Sequence, residues 1–202
     1  MVDFFVQGGG FMWPILIALL FGLAIIGERA YSLLNSSSDT DQFFDDVKTT
    51  FNDSGKDQAI ELCINTPGPV ASIFYAGLSK MGNKKEEIEK AVQNAGGLEM
   101  AFLEKNMIWI NSVITIAPML GFTGTVVGMI KAFEDIKMAN DISPAVVAGG
   151  ISQALLTTAF GLIVAMIMQV AQNFFVSMID KMILDMEEQS IKIVEYLHSS
   201  SK

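Results

Sequence analysis

Three stretches of this chain carry no charged residue: Phe4–Gly27, Asn106–Ile130 and Ile142–Ile179. Each exceeds the roughly 20 apolar residues that a helix needs to cross a bilayer core. The third is 38 residues long. That is about 57 Å of helix against a hydrocarbon core of about 30 Å, so it must project well beyond the membrane. Gln169, Gln172 and Asn173 suit the exit region, and Met182, Ile183, Met186, Ile193, Val194 and Leu197 continue as an amphipathic stripe. A tail of that kind packs on a partner helix, within the chain or between copies.

The segment between the first two runs reads as short helices. Ser36-Ser37-Ser38-Asp39 offers caps, and Phe43, Phe44, Val47 and Phe51 follow at helical spacing. Asn52-Asp53-Ser54-Gly55 breaks that helix, Ala59, Ile60, Cys63 and Ile64 form a second face, and Thr66-Pro67-Gly68-Pro69 is a turn. Val70, Ile73, Phe74, Gly77 and Leu78 make a third face, and a helix beginning at Lys84-Lys85-Glu86-Glu87 is expected to run through Gly96-Gly97 into the second span. No strand-like alternation occurs. The expected fold is an all-α integral membrane protein with three transmembrane helices, long cytoplasmic helical extensions and a small cytoplasmic helical bundle.

The placement of basic residues orients it. Of 13 Lys and Arg, 8 lie between Arg29 and Lys105 and 3 follow the third run, while only Lys131 and Lys137 separate the second and third. The positive-inside rule then puts the N-terminus outside and the C-terminus in the cytoplasm. The expected organisation is an outside tail and first span over 1–27, a cytoplasmic helical segment over 28–105 and a second span over 106–130. An outer loop over 131–143, a third span over 144–179 and a cytoplasmic helix over 180–202 complete it. No Lys or Arg precedes the first run and no small-residue cleavage site follows it, so a span is expected there rather than a secretory signal. A net charge of −9 argues against nucleic acid or anionic lipid as a partner. The single cysteine, Cys63, excludes a disulfide framework and reads as a small core residue, and the lone His198 has no companion ligand.

Two stripes of small residues carry the candidate chemistry. Gly121, Thr125, Gly128 and Ala132 fall at offsets of 0, 4, 7 and 11, and Ala154, Thr158, Gly161 and Ala165 repeat them. Each set shares one helical face. The glycines by themselves favour tight helix–helix packing, since Gly124 and Gly128 form a GxxxG pair. The hydroxyls fit a polar pathway, although a threonine can also bond the carbonyl four residues back. Moving protons through lipid generally requires an ionisable group at depth. These spans offer hydroxyls and amides instead, at Thr125, Gln153, Thr157 and Thr158, so if the chain conducts protons the titrating carboxylate must come from another polypeptide. Pro118 lies inside the second span and is expected to bend it, and Ser143-Pro144 is a favourable helix start.

The run Ala117-Pro118-Met119-Leu120-Gly121-Phe122-Thr123-Gly124-Thr125-Val126-Val127-Gly128-Met129-Ile130, followed by Ala132-Phe133, resembles the second-span signature of the MotA/TolQ/ExbB proton-channel family. Gln153-Ala154-Leu155-Leu156-Thr157-Thr158-Ala159-Phe160-Gly161-Leu162-Ile163-Val164-Ala165 resembles its third-span signature, and Glu28-Arg29 also matches. Three spans resemble the ExbB/TolQ branch. The resemblance implies a homopentamer in the bacterial inner membrane, with a periplasmic N-terminus and a lumen walled by the second and third spans. It implies a single-span dimer, ExbD- or TolR-like, supplying one Asp inside that lumen, and a TonB- or TolA-like envelope protein receiving the work. It places Thr125 and Thr158 on the lumen near that Asp, with Gly121, Gly128, Ala154, Gly161, Ala165, Gln153 and Thr157 along the same pathway. Many members of that family carry Glu where this chain has Gln153. No cofactor is implied.

Three classes of function follow. A proton-driven motor subunit without covalent chemistry leads, and a non-conducting oligomeric scaffold for a single-span partner is the alternative. A membrane enzyme would need a nucleophile–base pair or metal cluster that the sequence does not contain.

Overall fold

A computed structural model of the chain describes residues 2–36, 39–139 and 144–200, and every regular element among them is helical. The elements are α1 (Val2–Gln7), α2 (Met12–Ser36), α3 (Thr40–Ser54), α4 (Lys56–Asn65), α5 (Pro69–Ser79), α6 (Lys85–Leu103), α7 (Met107–Ala139) and α8 (Pro144–Ser200). Three helical stretches are long and apolar enough to cross a membrane. The chain divides into two compact units, Met1–Glu28 with Asn106–Phe174 and Arg29–Lys105 with Phe175–Lys202.

The unit of Arg29–Lys105 and Phe175–Lys202 is built like a water-soluble helical domain. Asp39 caps α3, its carboxylate accepting from the Gln42 N–H at 3.2 Å. Gly55 ends α3 with φ of 87°, a left-handed conformation that a side chain would resist. Pro69 opens α5, where its missing N–H is no loss. The core forms around Phe74, which is fully buried, stacks on Phe43 at 5.5 Å and meets Phe44 edge-on at 5.9 Å. Ile73, Leu78, Ile88, Val92, Ile193 and Leu197 are buried with it, so the apolar stripe expected on the C-terminal helix packs within its own chain. At Gly77 the helices meet closely: an added β-carbon would stand 3.2 Å from both Leu197 and Val92.

Polar groups in this unit are also placed. Asp41 accepts from Lys192 at 2.7 Å and from the Gln189 amide at 2.8 Å. The Lys192 hydrogen bond holds the Asp41 carboxyl below its ordinary range, and Asp41 in turn raises the Lys192 ammonium. The pair therefore stays charged across neutral pH, though both groups are too exposed for it to add much stability. Arg29 is buried and reaches the Phe102 carbonyl at 3.5 Å, a long contact that sets a cation at the C-terminal end of α6. Burial pushes the Cys63 thiol up to about 12, in keeping with an inert core residue.

Several expectations are corrected. The helix starting at Lys85 does not run into the second span. It ends at Leu103, and α7 restarts at Met107 after Asn106 adopts a left-handed φ of 64°. The Asn106 amide donates to the Glu28 carboxylate at 3.2 Å, which holds the interruption in place. The outer loop expected over 131–143 is helical as far as Ala139, because Ala132 stays buried and the good helix formers around it continue the ladder. Residues 140–143, including the expected cap Ser143, lie outside the described residues. Pro118 lies inside α7, which continues on both sides of it. The third span and the expected C-terminal helix form one element, α8, of 57 residues.

Replacing Phe74 with Ala should cost roughly 3–5 kcal/mol. Thermal unfolding of the detergent-solubilised protein, followed by loss of helical circular dichroism, should show a lowered midpoint. An unchanged midpoint would contradict the aromatic core.

Candidate functional site

The two small-residue stripes face each other along a seam between α7 and the first part of α8. A β-carbon added at Gly161 would stand 2.5 Å from the Ala117 carbonyl oxygen, and one at Gly121 would stand 2.8 Å from that of Thr157. At Gly128 it would meet Ala154 at 3.2 Å, and at Gly124 the Thr157 hydroxyl at 2.6 Å. Gly150 presses on Ala132 in the same way. Where the neighbours are backbone atoms there is little room to yield, so Gly121 and Gly161 set the distance between the helices. Gly121, Gly124, Gly128, Ala154, Thr157, Gly161 and Ala165 are all buried there.

Hydrogen bonds lock the same seam. Thr157, 1% exposed, donates to the Ala154 carbonyl at 2.7 Å with the Gly121 carbonyl 3.3 Å away. Thr158 donates across the seam to that same Gly121 carbonyl at 3.1 Å. Two hydroxyls thus converge on one backbone oxygen. Elsewhere on α7 the hydroxyls bond their own helix: Ser112 to Ile108, Thr115 to Asn111 and Thr123 to Met119, each on the carbonyl four residues back. Thr125 bonds the Phe122 carbonyl at 2.6 Å.

Thr125 and Thr158 stand apart from the glycines because both are half-buried, at the rim of the seam. Pro118 is half-buried too, beside the Ala117–Gly161 approach. Gln153 lies elsewhere. It precedes Thr158 by five residues, toward the N-terminal end of α8, and lies about 140° around the helix from it. Its side chain packs against Gly9, whose φ of 73° belongs to the turn joining α1 to α2. The pathway set expected from the sequence therefore separates into seam residues, two rim hydroxyls and one amide held by the N-terminal turn.

Further contacts complete this unit. Gly22 of α2 lets Met168 approach: an added β-carbon would stand 2.5 Å from its sulfur and 3.5 Å from Val113. Phe21 meets Trp109 edge-on at 6.2 Å. The matched offsets singled out neither Gly150, which meets the stripe residue Ala132 from four residues before the second stripe begins, nor Gly22, which belongs to α2 and meets Met168. Among the described residues no group of His, Cys, Asp and Glu could hold a metal ion.

A sequence model described as the MotA/TolQ/ExbB proton channel family matches residues 65–188. The chain is 28% identical over 188 residues to a Synechocystis sp. protein named ExbB-like 3, covering 92% of this chain and 90% of that one. It is 33% identical over 99 residues to the biopolymer transport protein ExbB of Xanthomonas campestris, covering 49% and 39%. It is 28% identical over 117 residues to the Tol-Pal system protein TolQ of Pseudomonas aeruginosa, covering 52% and 51%.

The seam predicts opposite outcomes at two glycines of one helix. Gly161→Ala must push a β-carbon into the Ala117 carbonyl and should destabilise the protein by roughly 1–3 kcal/mol. Gly149→Ala meets no atom within 4 Å and should be neutral or slightly stabilising. Thermal midpoints of the two variants in one detergent compare them directly, and equal midpoints would count against the seam.

Proposed function

This chain belongs to the MotA/TolQ/ExbB proton channel family, and from that premise we propose that it is the multi-pass subunit of an ExbB/TolQ-type energiser. In this reading it couples proton entry across the bacterial inner membrane to work on an envelope partner. The observation that carries it is an absence paired with a placement. Between Asn106 and Ile130, and between Ile142 and Ile179, no ionisable acid or base occurs. The two half-buried hydroxyls, Thr125 and Thr158, stand at the edge of the seam.

Hydroxyls and amides do not titrate near neutral pH, so a proton crossing here needs a carboxylate from a second polypeptide. A single-span dimer of the ExbD/TolR kind, with an Asp in its helix, supplies that group. Several copies of this chain, five by family resemblance, surround it with α7 and α8 toward the lumen and α2 toward lipid. The N-terminus is periplasmic and the C-terminus cytoplasmic, following the basic residues that flank the spans. Work passes to a TonB- or TolA-like envelope protein. No covalent step is involved.

Within this scheme the seam residues have a structural part. Gly121, Gly128, Ala154, Gly161 and Ala165, with Thr157, Gly124 and Pro118, hold α7 and α8 at fixed separation. Thr125 and Thr158 then present oxygens at a constant position to the partner carboxyl. Gln153 contributes at the outer end through its contact with the N-terminal turn.

The test is proton flux into liposomes under an imposed gradient. It compares the chain alone, the chain with its single-span partner, and the pair with the partner's Asp changed to Asn. Flux is expected only with the intact partner. Equal flux in all three would overturn the borrowed carboxylate, and no flux in any would favour the scaffold. Thr158→Val keeps the shape of the side chain and loses one hydrogen bond, worth about 0.5–1.5 kcal/mol, so assembly should survive. Thr125→Val should behave likewise. Both should lower coupled flux, and full flux in both would remove the role given to the hydroxyls.

A further inference from the structure

We propose that the segment Glu104–Asn106 is a two-state joint, turn or helix, and that Glu28 of α2 selects the turn by holding the Asn106 amide. The joint is a conformational device at the start of α7, apart from the rim hydroxyls, and nothing in it requires proton conduction.

The residues of the joint prefer helix. From Leu98 to Ala117 there is neither Gly nor Pro, and Glu104 and Lys105 are good helix formers. Even so, α6 ends at Leu103 and α7 begins at Met107. Asn106, with φ of 64°, is the one non-glycine residue in the left-handed region among the described residues. Asn tolerates that region better than most side chains, but at a cost that a helical conformation would not carry. The break thus runs against local preference, and a contact from outside the segment must favour it.

Two adjacent residues of α2 supply such contacts, one before the break and one after it. The Asn106 amide donates to the Glu28 carboxylate at 3.2 Å. A continuous helix would give the Phe102 carbonyl to the Asn106 N–H. Here that carbonyl accepts from the Lys105 N–H at 3.2 Å and is reached by the buried Arg29 at 3.5 Å. The Trp109 N–H bonds the Asn106 carbonyl at 3.1 Å, which starts α7 afresh. Glu28 is well placed to hold it, because Phe21 of the same helix meets Trp109 edge-on at 6.2 Å.

The left-handed φ sets the direction of the Asn106 side chain, so turning the joint helical would carry its amide away from Glu28. A local preference for helix is therefore opposed by a long-range contact that exists only in the turn. That balance makes both states accessible, and whatever draws Glu28 away shifts the population toward helix. The helix whose beginning is set in this way, α7, carries Thr125 and one wall of the seam.

The test is amide hydrogen exchange of the solubilised chain, read at residues 104–108. None of these residues is buried, so exchange there reports backbone hydrogen bonding. Asn106→Ala removes the amide and penalises the left-handed φ, and should slow exchange by about tenfold. Glu28→Ala leaves the joint's own sequence intact and should slow exchange in the same direction. Adding Asn106→Gly to Glu28→Ala should restore the rapid rate, because glycine takes the left-handed conformation unaided. Unchanged exchange in Asn106→Ala would show a fixed kink and overturn the joint. Unchanged or faster exchange in Glu28→Ala would overturn the selection by Glu28. In the assembled complex Asn106→Ala should lower coupled flux several-fold while Asn106→Gly retains it, and full flux in Asn106→Ala would remove the joint from the working cycle. The exchange measurement needs neither partner nor gradient, so slowed exchange in a chain whose complex passes no protons would support the joint while the proton-coupling reading fell.

Discussion

In hydrocarbon, two apolar helices gain nothing from leaving lipid for each other, so α7 and α8 can be held only by close contact and hydrogen bonds. Everything else in the membrane unit depends on that constraint. Side chains at Gly121 and Gly161 would collide with backbone oxygens across the seam, so their absence determines how near the helices come. The nearness then makes the Gly121 carbonyl reachable by the hydroxyls of Thr157 and Thr158. Packing and hydrogen bonding are one device here. Thr158 stands at the rim because its neighbours on the buried side are too small to push the helices apart.

The other unit, α3 to α6 with the ends of α2 and α8, is packed as helices are in water. There, apolar faces gain by leaving water, and the core is filled with large side chains stacked around Phe74 instead of small ones. Gly77 is the exception that makes the comparison useful, since it lets Leu197 and Val92 close over α5. Charges are kept at the periphery of this unit, as in the pair of Asp41 and Lys192. Arg29 is different: it is buried, and it lies against the carbonyl end of α6, where a cation is favourable. Each part of α8 therefore obeys the rules of its own surroundings, small residues in one and Met, Ile and Leu in the other.

Much of the fold was legible in the residues. Long charge-free runs can be stable only as helices in lipid, because every backbone group must be bonded internally. Asp39 capping α3, Gly55 ending it and Pro69 opening α5 follow from the conformations those residues prefer. The stripes of Gly121 and Ala154 were legible as faces, since a helix repeats every 3.6 residues. The interruption at Asn106 was not. Its left-handed conformation is stabilised by Glu28, which is distant in sequence, and neighbouring residues give no sign of it.

The sequence by itself determined how many spans there are, where charge is excluded and which residues share a helical face. These are consequences of local geometry and of the cost of placing charge in hydrocarbon. Only the tertiary structure decided what each face meets. It set Gly121 and Gly161 against backbone, Gln153 against Gly9 and Met168 against Gly22. It also left Thr125 and Thr158 half-buried at the rim. Periodicity assigns a residue its direction from the helix axis, but the surface waiting in that direction belongs to another part of the chain, and only folding brings it there.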